Sequence, residues 1–427
     1  MPRLAITGVG VISPLGLDAP TTWAAMTRGE SGVSFLDGFD TSRLRSDIAA
    51  QVRGFSPEPY LTKKEAEIYG RVTQFSLAAA TEAIGMAGLG GFLRAGAPGA
   101  SSAPEARPSV AAHRIGCLFS TGQGSVDIFE AQIARSVARG PRAVSPFFIP
   151  GVMPNSGAAL ITMRYGFMGP SFSLNSACTT GAHSVATCGL MIEAGEADVM
   201  VAGGAEAALR QNTVAGFGNA RALTKAWEGD PTRASRPFDA GRRGFVMGEG
   251  AGALVVEDAE HARRRGAQPL AYLAGWGLTS DAQHLTQPHP EGLGVKIAVE
   301  RALERAGIGP EDIDYINPHA TSTVKGDLAE VEALRTVFGD RLRAIPISAT
   351  KSMVGHLLGG AAAVESVAVV YTLRDQCMHP SINLEQLDPA FDLDVVTGAA
   401  RPGSVRYALK VSAGFGGHNC ALVYARA

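Results

Sequence analysis

The chain has 427 residues, of which 46 % are hydrophobic and 18 % charged, and its net charge is −2. That is enough apolar chain for one large or two medium packed domains, and disorder is excluded as the default state. A near-neutral balance offers no basic face for nucleic acid and no acidic solvating tail.

In chain order, Leu4–Val9 reads as a buried strand closed by Gly10 and the Ser13-Pro14 turn. Apolar residues recur at helical spacing from about Lys63 to Ala87. The Ala/Pro/Ser/Gly-rich stretch Ala95–Ala112 has little to bury and reads as a mobile surface loop or insertion. Ile115–Ser120 is the next strand. Val199–Ala202, Ala253–Glu257 and Leu270–Ala274 follow as strands, and Gly181–Ala194, Val295–Gly307 and Gly326–Phe338 as helices. Tyr407–Val411 and Cys420–Ala425 return to strand. The alternation argues for an α/β fold with strands buried on both faces. An Arg-rich helix end near Ala259–Gly266 divides the chain into halves 1–262 and 263–427.

The five cysteines, Cys117, Cys178, Cys188, Cys377 and Cys420, include no CxxC pair, and an odd count suits a reducing compartment. The N-terminus has no signal-like apolar run, and no apolar stretch reaches 18 residues; the best one, after His356, is interrupted by Glu365. The expectation is a soluble cytoplasmic protein without metal, since no ligand cluster is present.

Three junctions carry reactive side chains. Cys178 follows a strand candidate ending near Leu174 and precedes an Ala/Gly-rich helix. A helix N-terminus favours thiolate and lowers the thiol pKa; the plain alternative is a buried structural cysteine, which suits Cys188. His319 lies between a strand and a helix, in Asn317-Pro318-His319-Ala320-Thr321-Ser322-Thr323. His356 lies at a similar junction, in Lys351-Ser352-Met353-Val354-Gly355-His356. Each histidine alone reads more often as a capped or surface residue than as a catalyst. Together, one cysteine and two histidines at strand ends among small residues fit a site. Gly414-Phe415-Gly416-Gly417 reads either as a structural turn or as a gate with a backbone N–H for an oxyanion.

These motifs, with Thr7–Gly16, Ser145–Pro150, Ala234–Asp239 and Gly244–Gly252 in order along nearly the whole chain, resemble the elongating, KAS II-like β-ketoacyl-acyl carrier protein synthases of the thiolase superfamily. The resemblance implies a duplicated five-layer α-β-α-β-α fold and a homodimer. It implies that Cys178 takes the acyl chain and that His319 and His356 assist decarboxylation of a malonyl group. Lys351 and Glu365 would support the site as an ion pair. The N–H groups of Cys178 and Phe415 would form the oxyanion hole, with Phe415 also gating the acyl pocket. Thr321, Thr323 and Thr279 would hold the phosphopantetheine arm that the substrates carry. Lys63, Lys64 and Arg142 would meet the acidic acyl carrier protein. No cofactor of the enzyme's own is implied. His356 speaks against initiating synthases, which carry Asn there, and Cys178 against chain-length factors, which lack the nucleophile.

Some positions depart from the family's pattern. Ala320 stands for Gly, Lys325 for a small uncharged residue, Val411 and Ala413 for Asn and Phe, and Ala66 and Glu67 for basic residues. Housekeeping elongation, a natural-product pathway and an inhibitor-tolerant duplicate whose malonyl region is crowded by Ala320 and Lys325 all stay open. So do an acyltransferase that does not condense and a silent subunit.

Overall fold

The computed structural model describes residues 4–99 and 109–427. Of the Ala95–Ala112 stretch, residues 100–108 therefore lie outside the described residues. The first half of the chain gives β1 (Leu4–Ile12), α1 (Arg71–Met86), β2 (Ile115–Thr121), α2 (Val126–Arg139), α3 (Phe148–Val152), α4 (Ser156–Tyr165), β3 (Ser171–Phe172), α5 (Thr180–Glu193), β4 (Val199–Glu206) and β5 (Gly250–Asp258). The second gives β6 (Ala271–Ser280), α6 (Leu293–Ala306), β7 (Tyr315–Asn317), α7 (Val324–Phe338), β8 (Pro346–Ile347), α8 (Ala361–Asp375), β9 (Asp394–Val395), β10 (Tyr407–Gly414) and β11 (His418–Arg426).

Strand order exposes a duplication. The first half runs β1-β5-β4-β2-β3 and the second β6-β11-β10-β7-β8, with β9 added at its edge. In both halves the first two pairings are antiparallel and the next two parallel. A short antiparallel ladder between Leu4–Ile6 of β1 and Ala271–Leu273 of β6 joins them into one hydrogen-bonded series. Helices α1 and α6 cover the outer faces, while α5 and α8 lie between the halves; α8 touches strands of both. This is the α-β-α-β-α layering that the resemblance implies.

Burial explains the element types. Every side chain of β1 and β4 is buried, as expected for strands covered on both faces. Helix α8 buries all but its last two residues, so it has no polar stripe and packs as a core rod. The helix expected over Lys63–Ala87 is two helices, Lys63–Ile68 and Arg71–Met86, broken at Tyr69-Gly70. A Cβ on Gly70 would come within 2.6 Å of Ser125, so the chain turns where another segment presses on it.

The fold places the site by feeding four segments into one place. The turn after β3, the loops after β7 and β8, and the end of β10 all meet under the N-terminus of α8. Gly252 of β5 sets the height of that helix. A Cβ there would lie 2.4 Å from backbone atoms of Ala363 and Val364, a clash that no rotamer change relieves. Gly252→Ala is expected to destabilise by about 1–3 kcal/mol, read as a lower denaturant midpoint at unchanged slope. A midpoint equal to that of the parent would show that α8 can lift without loss.

Candidate active site

Cys178 sits in a 3-10 turn, Ala177–Thr179, between β3 and α5. Ala177 has φ +52°, a left-handed conformation that costs a non-glycine residue about 1–2 kcal/mol. Local hydrogen bonds hold it. Asn175 Oδ1 accepts from the Ala177 N–H at 3.1 Å, Thr179 Oγ1 donates to the Ser176 carbonyl at 2.6 Å, and the Ser176 N–H donates to Thr180 Oγ1 at 3.0 Å. The end of β10 lies flat on this turn: a Cβ on Gly414 would sit 3.0 Å from the Ser176 carbonyl oxygen and 3.2 Å from the Cys178 nitrogen. The N–H groups of Phe415 and of Cys178 itself consequently point at the thiol.

The helix-terminus expectation for the thiol needs correction. Burial pushes it up to about 11, against the opposing pull of the Lys351 ammonium and the two N–H groups, while Glu206 adds to the rise. The reason is geometric. Helix α5 begins at Thr180, after the 3-10 turn, and the cysteine packs against an apolar cluster containing Leu209, Val214, Phe245, Met247 and Leu358. Loss of water outweighs the helix end. The residue as a whole keeps a partial opening to solvent, which bounds how far desolvation can act.

His319 is held by its backbone. Its N–H donates to Glu330 Oε1 at 2.6 Å, the Ala320 N–H to Glu330 Oε2 at 2.8 Å, and its carbonyl accepts from Lys351 Nζ at 2.6 Å. His356 is buried, and its N–H donates to the Val246 carbonyl at 2.7 Å. Its Nδ1 accepts from the Leu358 N–H at 3.3 Å, so the ring proton of the neutral imidazole belongs on Nε2. The two rings meet edge to face, with centroids 5.4 Å apart. Burial first, then the Lys351 ammonium, holds both imidazoles well below the ordinary histidine range. At neutral pH the site carries two uncharged imidazoles.

Lys351 and Glu365 pair at 2.5 Å, both side chains almost fully buried. Several neighbours were not singled out from sequence. Glu330 is eleven residues after His319, on the inner face of α7, and an acid on a buried helical face was a usable signal. Glu206 ends the apolar strand β4. It accepts from Thr121 Oγ1 at 3.0 Å and from the N–H groups of Gly122 at 3.0 Å, Gln123 at 3.3 Å and Gly359 at 3.1 Å, and burial raises it to about 7. Lys410 of β10 reaches the other oxygen of Glu365 at 2.8 Å. A file of rings continues from His356 to Phe245 at 5.2 Å, Phe217 at 5.4 Å and Phe415 at 6.2 Å. It forms one wall from the histidines to the partly exposed Phe415.

Other candidates fall at various distances from this centre. Thr321 and Thr323 face each other at the start of α7, hydroxyls 3.0 Å apart. Thr279 is not drawn in: its hydroxyl donates to the Gly294 carbonyl at 2.6 Å and anchors the first turn of α6. Lys63 and Lys64 are exposed at the start of their short helix, and Arg142 is exposed on the turn before Ser145. Lys325 does not crowd the site. It is exposed and donates to Gln287 Oε1 at 3.1 Å. Ala320 is buried at φ +34°, a conformation that suits the glycine usual there. His418 stacks edge to face on His183 at 6.4 Å.

Comparison with known proteins agrees with this geometry. Residues 1–262 match the β-ketoacyl synthase N-terminal domain and residues 270–385 the β-ketoacyl synthase C-terminal domain. The chain belongs to the β-ketoacyl synthase family. It is 40 % identical over 422 residues to the chloroplastic 3-oxoacyl-[acyl-carrier-protein] synthase I of Arabidopsis thaliana, covering 99 % of this chain and 86 % of that one. It is 39 % identical over 426 residues to 3-oxoacyl-[acyl-carrier-protein] synthase 2 of Vibrio cholerae, covering 99 % of each. Among solved structures it resembles a β-ketoacyl synthase of Burkholderia phymatum (TM-score 0.88, 32 % identity, all of both chains). It also resembles a ketosynthase in complex with its type II polyketide acyl-carrier protein and bound to the hexaketide (TM-score 0.89, 29 % identity, all of both chains).

A thiol raised by burial is protonated at neutral pH, and each unit of pH below its pKa multiplies the thiolate about tenfold. Alkylation of Cys178 by iodoacetamide, followed by peptide mass spectrometry, is therefore expected to accelerate about tenfold per unit from pH 7 to 9. A rate already level at pH 7 would show that the turn and Lys351 outweigh desolvation.

Proposed function

We propose that the chain is a β-ketoacyl-acyl carrier protein synthase in fatty acid or polyketide elongation, condensing malonyl-carrier protein with an acyl group held on Cys178. The observation that carries this reading is the convergence of one thiol, two backbone N–H donors and two neutral imidazoles at four segment ends.

The Cys178 thiolate attacks the thioester carbonyl of the incoming acyl group. The oxyanion that forms lies between the N–H groups of Cys178 and Phe415. The carrier's thiolate leaves and takes up the proton that Cys178 lost. A malonyl thioester then replaces it. Its carboxylate departs as CO2, and the electron pair of the broken C–C bond moves onto the thioester oxygen as an enolate. Nε2–H of His356 and a ring N–H of His319 donate to that oxygen. Neutral donors suit the task, because a protonated imidazole would hand over its proton and quench the carbanion. The enolate carbon attacks the acyl-cysteine carbonyl, the C–S bond breaks, and Cys178 is regenerated as thiolate. The apolar cluster beside Cys178 would house the acyl chain. Thr321 and Thr323, whose hydroxyls face each other at the start of α7, would accept the phosphopantetheine arm. Lys63, Lys64 and Arg142 are exposed cations suited to an acidic carrier protein. The two halves, 1–262 with the nucleophile and 263–427 with both histidines, then act as one unit. All five cysteines are unpaired, in keeping with a reducing, cytoplasmic setting. No helix among the described residues is long and apolar enough to cross a membrane.

A second copy of the chain is the partner that best fits one apolar surface. Among the described residues, strand β3 ends the sheet and has no neighbour on its outer side. Met168, just before it, is exposed at 74 %, and on α2 and α3 Phe129, Ile133, Val137 and Ile149 are exposed, Val137 at 83 %. An open sheet edge together with large exposed apolar side chains in the same half calls for a cover. Light scattering is expected to give twice the chain mass, and Val137→Glu with Ile149→Glu to give a folded monomer. A monomeric parent chain would refute the homodimer.

The catalytic reading is tested by mass spectrometry with acyl- and malonyl-carrier protein. The parent chain is expected to form an acyl adduct on Cys178 and a 3-ketoacyl product, and Cys178→Ala neither. His356→Ala is expected to keep the adduct while product formation falls about 10²–10³-fold, the loss of one oxyanion donor. An adduct with no extended product and no CO2 across a range of primers would mean acyl transfer without condensation.

A further inference from the structure

Lys410 lies in the middle of β10, fully buried, between Leu409 and Val411. Lysine is almost never buried completely unless it is paired. Its ammonium lies 2.8 Å from Glu365 Oε2 as an ion pair, and donates to Ser412 Oγ at 3.0 Å and to the Val411 carbonyl. The opposite oxygen of Glu365 is held by Lys351, which also donates to the His319 carbonyl. Glu330 holds the N–H of His319 and feels the charge of both lysines. Two ammoniums and two carboxylates are thus shut into one volume beneath the histidines. Lys410 also stands in register with Asn317, two residues before His319, and four residues before Gly414, where the strand meets the cysteine turn.

Assuming the condensing role above, we propose that Lys410 is a positioning residue for that reaction. By holding the outer oxygen of Glu365 it fixes the carboxylate on which Lys351 turns, and so the backbone of His319, while tying the strand of the oxyanion loop to the same charge. Stability alone is a poor explanation for it, since a well-packed apolar residue in place of a buried pair is often as stable. Glu365 with one cation would draw Lys351 away from the His319 carbonyl. The groups facing Lys410 are Glu365 on α8, Lys351 on the turn Lys351–Val354, Glu330 on α7, Cys420 on β11, and the two imidazoles. Of these only the lysines bring positive charge. Both imidazoles are held neutral partly by Lys410, so its removal makes them easier to protonate.

The test is Lys410→Met, which keeps the length and removes the charge. Expected are a kcat about tenfold to a hundredfold lower, a KM for malonyl-carrier protein close to that of the parent, and an acid limb of the kcat profile moved to higher pH. Lys410→Arg is expected to leave the acid limb in place. An unmoved acid limb with unchanged kcat in Lys410→Met would overturn the proposal. A readout independent of turnover separates this from failure of the condensing reading. Histidine-labelled protein is titrated by NMR, and His319 and His356 are expected to protonate at higher pH in Lys410→Met. Unchanged histidine titrations refute Lys410's role whether or not the parent chain condenses. If Lys410→Met does not fold, the pair Lys410→Met with Glu365→Gln decides. Recovery of folded protein supports the shared charge, and equal loss in both variants overturns it.

Discussion

A single buried carboxylate organises the centre of this molecule. Glu365 stands in a helix packed on both sides by sheet, where an unpaired charge would be costly by several kcal/mol. It is tolerable because one lysine comes to each oxygen, Lys351 from the turn before His356 and Lys410 from β10. Those lysines arrive from different segments of the second half, so satisfying the charge also fixes where the segments lie. The histidine carbonyl on Lys351 and the strand under the Gly414-Phe415 loop are positioned as consequences.

The duplication explains why the reactive groups come in matching places. Strand β3 and strand β8 hold the same rank in their halves, and each leads into a central helix, β3 through the Ala177–Thr179 turn and β8 through a longer connection that contains the short helix Lys351–Val354. The first connection carries Cys178 and the second His356. Because α5 and α8 lie side by side between the halves, two residues far apart in sequence are delivered to one volume by the same local construction. Glu206 reinforces the meeting, since it gathers N–H groups from the loop after β2 and from Gly359 just past His356. The strained Ala177 is held by this surrounding framework, as strained turns at sites generally are.

Much of this was legible in the residues, and the exceptions have physical causes. Elements with clear period or a β-branched run emerged within a few residues, as Gly181–Ala194 against Thr180–Glu193 shows. Helix α8 was not legible by period, because a helix buried on all sides has no polar face to mark its turns. The break at Tyr69-Gly70 was hidden because both flanking helices keep apolar residues toward the core, so the period runs across the turn. Cys178, His319 and His356 stood out because small residues flank them at junctions. Lys410 did not, because a lysine inside a strand reads as a solvent-facing residue, and only the tertiary structure puts a carboxylate opposite it. The thiol was misjudged for the same kind of reason. A helix end can be seen in sequence, whereas the apolar cluster that desolvates the thiol is gathered from segments far apart in the chain, with members from Leu36 to Leu358.

That desolvation acts on the site in two directions. It raises the thiol, which works against forming the proposed nucleophile, and it holds both imidazoles neutral, which the proposed enolate step would need. Opening the site to water would ease the first and forfeit the second. A cation resolves the conflict, because positive charge stabilises a thiolate and opposes an imidazolium at once. The Lys351 ammonium is the largest influence after burial on all three groups. Glu365 supplies its counter-charge at 2.5 Å in the same dry interior. Under the proposed reaction, the ion pair is the means of running thiolate and neutral-imidazole chemistry in one enclosed volume more than a brace for the fold.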